Sequence, residues 1–354
     1  MGLPQINIAF QTLAVTAIAR SARGVVALVL KDSTDVTFET KIYTDITQID
    51  PLDWTATNLD YIQKAFLGIP TKIIVEREAS AAVNYNLSLA RLANKKWNYL
   101  AIPGLVVGDV ATISTWIKTM RDTNKKTFKA VLPISVSDHE GIINFTGSGI
   151  KVGATTYTAY QYCCRIAGIL AGLPFTRSST YYVLTEVDSI TETTTPDADI
   201  DAGQLILIND GVHIKIGRGV NSLTTTTVTK GAKFKKIKIM EAIDLMREDI
   251  RDTFDSEYVG KVNNFYDNKV LFLTGVNAYF KVLQGDEVLD PNFTALAGID
   301  IDAQELYLQS TGLDTSALTT AQIKEYNTGS KVFVKASGSP LDAMEDLDFS
   351  MLIV

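Results

Sequence analysis

Between residues 24 and 134 short, β-branched apolar runs alternate with segments whose apolar positions recur every three or four residues. The runs GVVALVL, TKIIVE, YLAIP and KAVLPI are short and continuous, as in strands covered on both faces. Helical patterns occupy 58–67, 79–93 and 109–124 between them. In the first, Leu59, Ile62 and Phe66 share one face, while Asp60, Gln63 and Lys64 lie elsewhere. This rhythm predicts an α/β unit whose helices cover a sheet.

After residue 155 the pattern changes. Residues 159–173 are almost wholly apolar, with Gly168 and Gly172 four apart, and predict a buried helix; the stretch contains Gln161 and Arg165 and is shorter than the roughly 20 residues a membrane span needs. The Thr-rich, acidic SITETTTPDADIDAG predicts a solvated connection and a domain boundary. QLILI and VHIKI flank Asn209, Asp210 and Gly211, and Asp-Gly tolerates positive φ, so a tight hairpin is expected. Residues 236–258 place Ile239, Ile243, Met246, Ile250 and Phe254 on one helical stripe, with Arg247, Glu248, Arg251 and Asp252 on a face expected to be wet or paired. A second helix over 268–284 carries Phe272, Val276, Tyr279, Phe280 and Leu283. KVFVKA and LDFSMLIV read as strands, and the first ten residues as extended, Pro4 discouraging an early helix. The class expected is mixed α/β (α+β): an extended N-terminal arm at 1–23, an α/β domain at 24–200, a hairpin-plus-helices domain at 201–336 and a C-terminal strand arm at 337–354.

Composition narrows the function. The chain of 354 residues is 46% hydrophobic and 21% charged, enough to build its own core, and its net charge of −7 argues against general affinity for nucleic acid. The adjacent Cys163 and Cys164 cannot form an ordinary disulfide, which suits a reducing compartment. MGLPQINIAF has no basic-then-apolar signal, and Ile6 stands where myristoylation wants Ser or Thr. Cytoplasmic assembly without membrane insertion is therefore expected.

Candidate chemistry is sparse. His139 and His213 are the only histidines, which leaves little for a triad or a His-rich metal site, and each is expected at the surface or in the hairpin. Asp197, Asp199 and Asp201 suggest calcium, but an EF-hand loop wants Gly sixth and Glu twelfth, where this run has Gly203 seventh and Ile208 twelfth. Gly147 with Gly149 and Gly217 with Gly219 lack a Walker lysine or a third glycine. No catalytic, metal or cofactor site is expected. Lys230, Lys233, Lys235, Lys236 and Lys238 form the most charged stretch, open to three readings: a solvated edge, a contact for an acidic protein, or a nucleic-acid contact.

The two ends, GLPQINIAFQTLAVTAIARSARGVVALVLKD and NTGSKVFVKASGSPLDAMEDLDFSMLIV, together resemble the tail sheath proteins of contractile phages and phage-tail-like bacteriocins, most nearly the short sheaths of Gram-positive hosts. TAYQYCCRIAGILAGLPFTRSSTYY and IKIMEAIDLMREDIRDTFDSEYVGKVNNFYDNKVLFLTGVNAYFKVLQG resemble the same family's middle helix and paired C-terminal helices. The resemblance implies a two-domain structural subunit that polymerises helically around an inner tail tube protein and contracts to drive the tube through a target envelope, without nucleotide. It implies inter-subunit strand arms at Leu3, Pro4, Gln5, Ile6, Asn7, Ile8, Ala9 and Phe10, and at Asp348, Phe349, Ser350, Met351, Leu352, Ile353 and Val354. It further implies baseplate and tail terminator partners, no nucleic acid, residence in a virion or extracellular tail-like particle, and a tube-facing C-terminal region in which the lysines above or Lys324 and Lys331 meet an acidic tube. The rival readings are a sheath of a cell-to-cell injection system and a small-molecule enzyme on the α/β unit; scarce histidine and the lack of a complete glycine or nucleophile motif weigh against the enzyme.

Overall fold

The computed structural model describes Ile18 and residues 23–353, and the N-terminal arm residues 3–10, like Val354, lie outside them. The described chain divides into two compact units, 23–247 with 341–353, and Ile18 with 248–340, one division falling inside a helix.

The larger unit is built on a seven-stranded sheet in the order β10-β6-β5-β4-β1-β3-β2. Its members are β1 (Val25–Lys31), β2 (Thr40–Tyr43), β3 (Lys72–Glu78), β4 (Tyr99–Ala101), β5 (Lys129–Pro133), β6 (Ile142–Phe145) and β10 (Gln204–Leu205). All neighbours run parallel except β2 against β3. The period-two geometry of a strand splits β1 between two cores. Val26, Leu28 and Leu30 face a cluster with α1 (Ala56–Phe66) and α4 (Ala159–Gly172), whereas Val25, Ala27 and Val29 face one with α2 (Asn86–Ala93) and α3 (Val107–Asp122). Both faces are covered, which explains why the strand runs read as continuously apolar.

α1 and α4 approach closely because Gly68, Gly168 and Gly172 have no side chains. A Cβ on Gly168 would lie 2.0 Å from the Ala65 carbonyl oxygen, and one on Gly172 would lie 1.8 Å from that of Gly68. The four-residue glycine spacing is thus a backbone-to-backbone contact. Cys163 and Cys164 lie buried in α4 as free thiols, and burial pushes Cys163 up to about 12.

Three expectations change. The helix expected over 79–93 begins only at Asn86, because the buried carboxylate of Glu78 accepts from the Ser88 amide at 2.7 Å and caps α2 from the end of β3. The expected solvated connection is ordered structure: β9 (Ser189–Thr191) joins β7 (Ser148–Val152) and β8 (Thr155–Tyr157) in a small sheet, and α5 (Pro196–Asp201) starts on its proline. The hairpin pairs β11 (Leu207–Asn209) with β12 (Ile214–Ile216), but its loop has four residues, 210–213, with Gly211 at φ +90°.

α6 (Ile237–Glu257) contributes its first half to the larger unit. There Asp244, fully buried, takes a two-pronged contact from Arg121 at 2.9 and 3.0 Å and a third bond from Lys129 at 2.8 Å. Lys129 also reaches Glu241 at 2.9 Å, and Arg23 meets the same carboxylate at 3.0 Å. Burial alone would raise Asp244, but the Arg121 and Lys129 charges override it and hold the carboxyl well below the usual range. In the smaller unit the rest of α6 is followed by α7 (Tyr266–Gly285), α8 (Ile301–Ser310), α9 (Thr320–Glu325) and a two-stranded sheet of β13 (Leu296–Ile299) and β14 (Val334–Ser337). Of the polar face expected at 247–252, Arg251 pairs with Glu248 at 3.9 Å and with Asp252 at 3.1 Å. No helix among the described residues is long and apolar enough to cross a membrane.

Candidate assembly surface

The last segment of the chain holds the feature for which the fold gives no internal use. From Leu341 to Glu345 the odd residues turn toward the larger unit and the even ones toward solvent, the alternation of an extended strand. Glu345 anchors it. Its carboxylate, 5% exposed, accepts from Ser178 Oγ at 2.9 Å, Thr180 Oγ1 at 2.6 Å and Lys236 Nζ at 3.1 Å, with Arg218 Nε 3.7 Å away. Lys236 also pairs with Asp342 at 2.5 Å, Lys238 donates to the Leu341 carbonyl at 2.9 Å, and Arg218 holds Asp346. Partial burial of Lys236 acts to lower its pKa, but the Asp342 and Glu345 carboxylates raise it overall.

Past Asp346 the anchors stop while the pattern continues. Leu347, Phe349, Met351 and Ile353 keep the odd, apolar register at 89, 74, 67 and 81% exposure, and the even Leu352 is apolar and exposed as well. Residues 347–353 belong to no strand and make no backbone hydrogen bond to any described residue. An exposed apolar face with an unpaired backbone is what strand addition to a partner's sheet uses. In the smaller unit, among the described residues, β14 pairs only with β13 and all four of its residues are exposed, which leaves the edges of this two-stranded sheet open there.

Glu345→Ala should loosen the segment without unfolding the body. It leaves Lys236 with Asp342 and Arg218 with Asp346 but removes the buried acceptor, so limited proteolysis between residues 341 and 347 should quicken by about tenfold or more. The thermal midpoint should stay close to that of the parent; a collapse of the midpoint together with the cleavage would show that Glu345 belongs to the core.

The lysines divide. Lys236 and Lys238 hold the C-terminal segment, and Lys230 pairs with Glu140 at 3.0 Å. Lys233 and Lys235, on the short 3-10 turn Ala232–Lys235, make no ion pair among the described residues. Lys324 ends α9, and the Lys331 ammonium lies 4.6 Å from the centre of the Tyr307 ring.

The histidines differ from each other. His213 is exposed in the hairpin loop, as expected, but His139 is buried, and burial keeps its pKa below the ordinary value. Asp122, His139 and Glu140 could be spanned by one cation. Yet His139 Nδ1 accepts the Gly141 amide at 3.0 Å, which leaves the ring proton on Nε2 facing Asp122 at 3.3 Å, and Lys230 already occupies Glu140. The cluster is a hydrogen-bonded corner with its charges matched.

Residues 55–222 match the phage tail sheath protein central domain and 229–353 the phage tail sheath C-terminal domain. The tail sheath protein of Clostridium phage phiCD119 is 38% identical over 359 aligned residues, covering 98% of each chain. The crystal structure of a sheath tail protein from Desulfitobacterium hafniense superposes with a TM-score of 0.71 at 17% identity, covering 83% of this chain and 94% of that one. The helical sheath of the anti-feeding prophage, in its contracted state, gives a TM-score of 0.74 at 12% identity over 99% of both chains.

Proposed function

The chain belongs to the phage tail sheath family, and on that premise we propose that it is the subunit of a contractile sheath, built by copies that exchange terminal strands around an inner tube. The observation that carries this reading is the segment 347–353, whose apolar odd positions and unpaired backbone follow directly on a stretch clamped to the body. An arm fixed at its root and unpaired at its end links copies without loss of subunit identity, and the open β13–β14 sheet is a receptor of matching type. Leu3–Phe10 supplies the second arm. Contacts between unlike patches of successive copies generate an open helix, so its length is set by other proteins at the baseplate and terminator ends.

Contraction in this reading is a repacking of rigid bodies while the strand links persist, with energy stored in subunit packing. The body described above suits that role, since its sheet is packed on both faces and its helices α1 and α4 touch through glycine backbone. Lys233, Lys235 and Lys324 are the cations best placed to meet an acidic tube. Assembly takes place in the bacterial cytoplasm, where the two thiols remain reduced, and the product is carried in a virion or tail-like particle.

Negative-stain electron microscopy of the concentrated, purified protein tests the proposal. Hollow tubes of uniform diameter are expected, and a chain that stays monomeric at high concentration, with or without tube protein, would refute it.

A further inference from the structure

The smaller unit contains a cavity of about 480 Å³ that none of its described side chains fills. Phe254, Tyr258 and Phe272 form an aromatic wall, and Asn264 and Lys269 supply the polar lining. Lys269 is 4% exposed, and among the described residues its ammonium meets only neutral groups, Thr328 Oγ1 at 3.2 Å and Gln304 Oε1 at 3.4 Å. Asn264 donates to the same Thr328 hydroxyl at 3.1 Å, which sets the ammonium beside it. The Tyr258 hydroxyl and Asn264 Oδ1 are buried without a partner among the described residues. A buried cation with no anion and two unsatisfied polar atoms is costly unless something completes it.

A carboxylate beside the ammonium and a donor facing Asn264 Oδ1 would complete it. The N-terminal arm, Leu3–Phe10, has no acidic residue. In the C-terminal segment Asp342, Glu345 and Asp346 are taken by Lys236 and Arg218, whereas Asp348 makes no ion pair among the described residues. In an extended strand Asp348 and Ser350 lie on the same face. The cavity also borders the open sheet: its lining includes Gly329, Ser330 and Val332, and β14 begins at Val334.

We infer that this cavity receives the C-terminal segment of a second copy of the chain, with the Asp348 carboxylate on Lys269 and the Ser350 hydroxyl donating to Asn264 Oδ1. The inference rests on the strand exchange proposed above and adds the contact that fixes the register of the incoming strand.

A fluorescent peptide of residues 345–354, titrated by anisotropy into chain truncated after Asp346 and kept dilute enough to be monomeric, tests it. Asp348→Asn in the peptide should weaken binding about tenfold, the effect of a close desolvated charge pair, and Asp346→Asn should change it by less than about twofold. Against Lys269→Met chain the Asp348→Asn penalty should vanish; Met preserves the apolar stem, and the peptide variants need no altered protein. Equal penalties for the two peptide variants, or the same Asp348 penalty with and without Lys269, would overturn the inference while leaving strand exchange standing. A peptide that fails to bind at all sinks both. Full-length chain should bind the peptide as tightly as truncated chain; markedly weaker binding would put the chain's own segment in the cavity and exclude the second copy.

Discussion

Deleting residues 347–354 should abolish tube formation and leave a folded, soluble monomer. Residues 347–353 form no backbone hydrogen bond to any described residue and their apolar side chains are exposed, so the monomer has little to lose. Between copies the balance reverses. Burial of Leu347, Phe349, Met351 and Ile353 contributes about 1.5–3 kcal/mol each, and each strand hydrogen bond adds about 0.5–1.5 kcal/mol. Even after ordering losses, several kcal/mol per link remain, repeated at every subunit. Circular dichroism and the thermal midpoint should match the parent within about 2 °C, while microscopy and sedimentation show no tubes. Met351→Pro, which deletes one backbone donor and fixes φ, should weaken assembly far more than Met351→Leu. Deleting residues 2–10 should act in the same way at the other end. Normal tubes from either truncated chain would remove the arms from the linkage.

Asp244→Ala should destabilise the larger unit by about 3–5 kcal/mol, because it leaves Arg121 and Lys129 buried with their main counter-charge gone. The pH dependence identifies the cause. Asp244 is held below its unfolded value, so its stabilisation is complete above about pH 4 and is lost as pH falls toward the depressed folded value. Urea denaturation at pH 7 should therefore show the full difference between parent and variant, and the difference should shrink as the pH is lowered below 4. A triple change of Asp244→Leu, Arg121→Met and Lys129→Met removes all three charges at once and should be far milder than the single change. A single change worth less than about 1 kcal/mol would show that water reaches the site and screens it.

The α/β rhythm was legible because β1, β3, β4 and β5 are covered on both faces and the helices between them carry an apolar stripe, so the periodicity had a single reading. The start of α2 was not legible: its cap is Glu78, eight residues upstream on another element, and no local cap marks Asn86. α5 and β9 were hidden by their Thr- and Asp-rich composition, which reads as solvated sequence wherever an element is short and exposed. LDFSMLIV reads as a strand in the sequence, but 347–353 belong to no strand in the structure, and the anchoring of 341–346 was not legible. The signal existed in the charges, since the acidic run at 342–348 matches the basic run at 230–238, but only the fold brings Glu345 to Lys236. Nothing in the apolar stripe of α7 distinguished Lys269 from a surface lysine, because its burial depends on Gln304 and Thr328 far along the chain.

The first turns of α6 hold both chain ends of the larger unit. Glu241 takes Arg23, where the described chain enters, and Lys236 and Lys238 take 341–345, where it leaves. In the assembly proposed above, tension entering at Arg23 would therefore meet tension entering at 341–345 between Lys236 and Glu241, and the load path need not cross the seven-stranded sheet. The weakest links along it are ion pairs at the helix start rather than core packing, so excessive pull would strip an arm root from its anchors before it sheared the body. Because partly exposed ion pairs soften as salt rises, the breaking force of a single subunit should fall with ionic strength while the thermal stability of its core hardly moves.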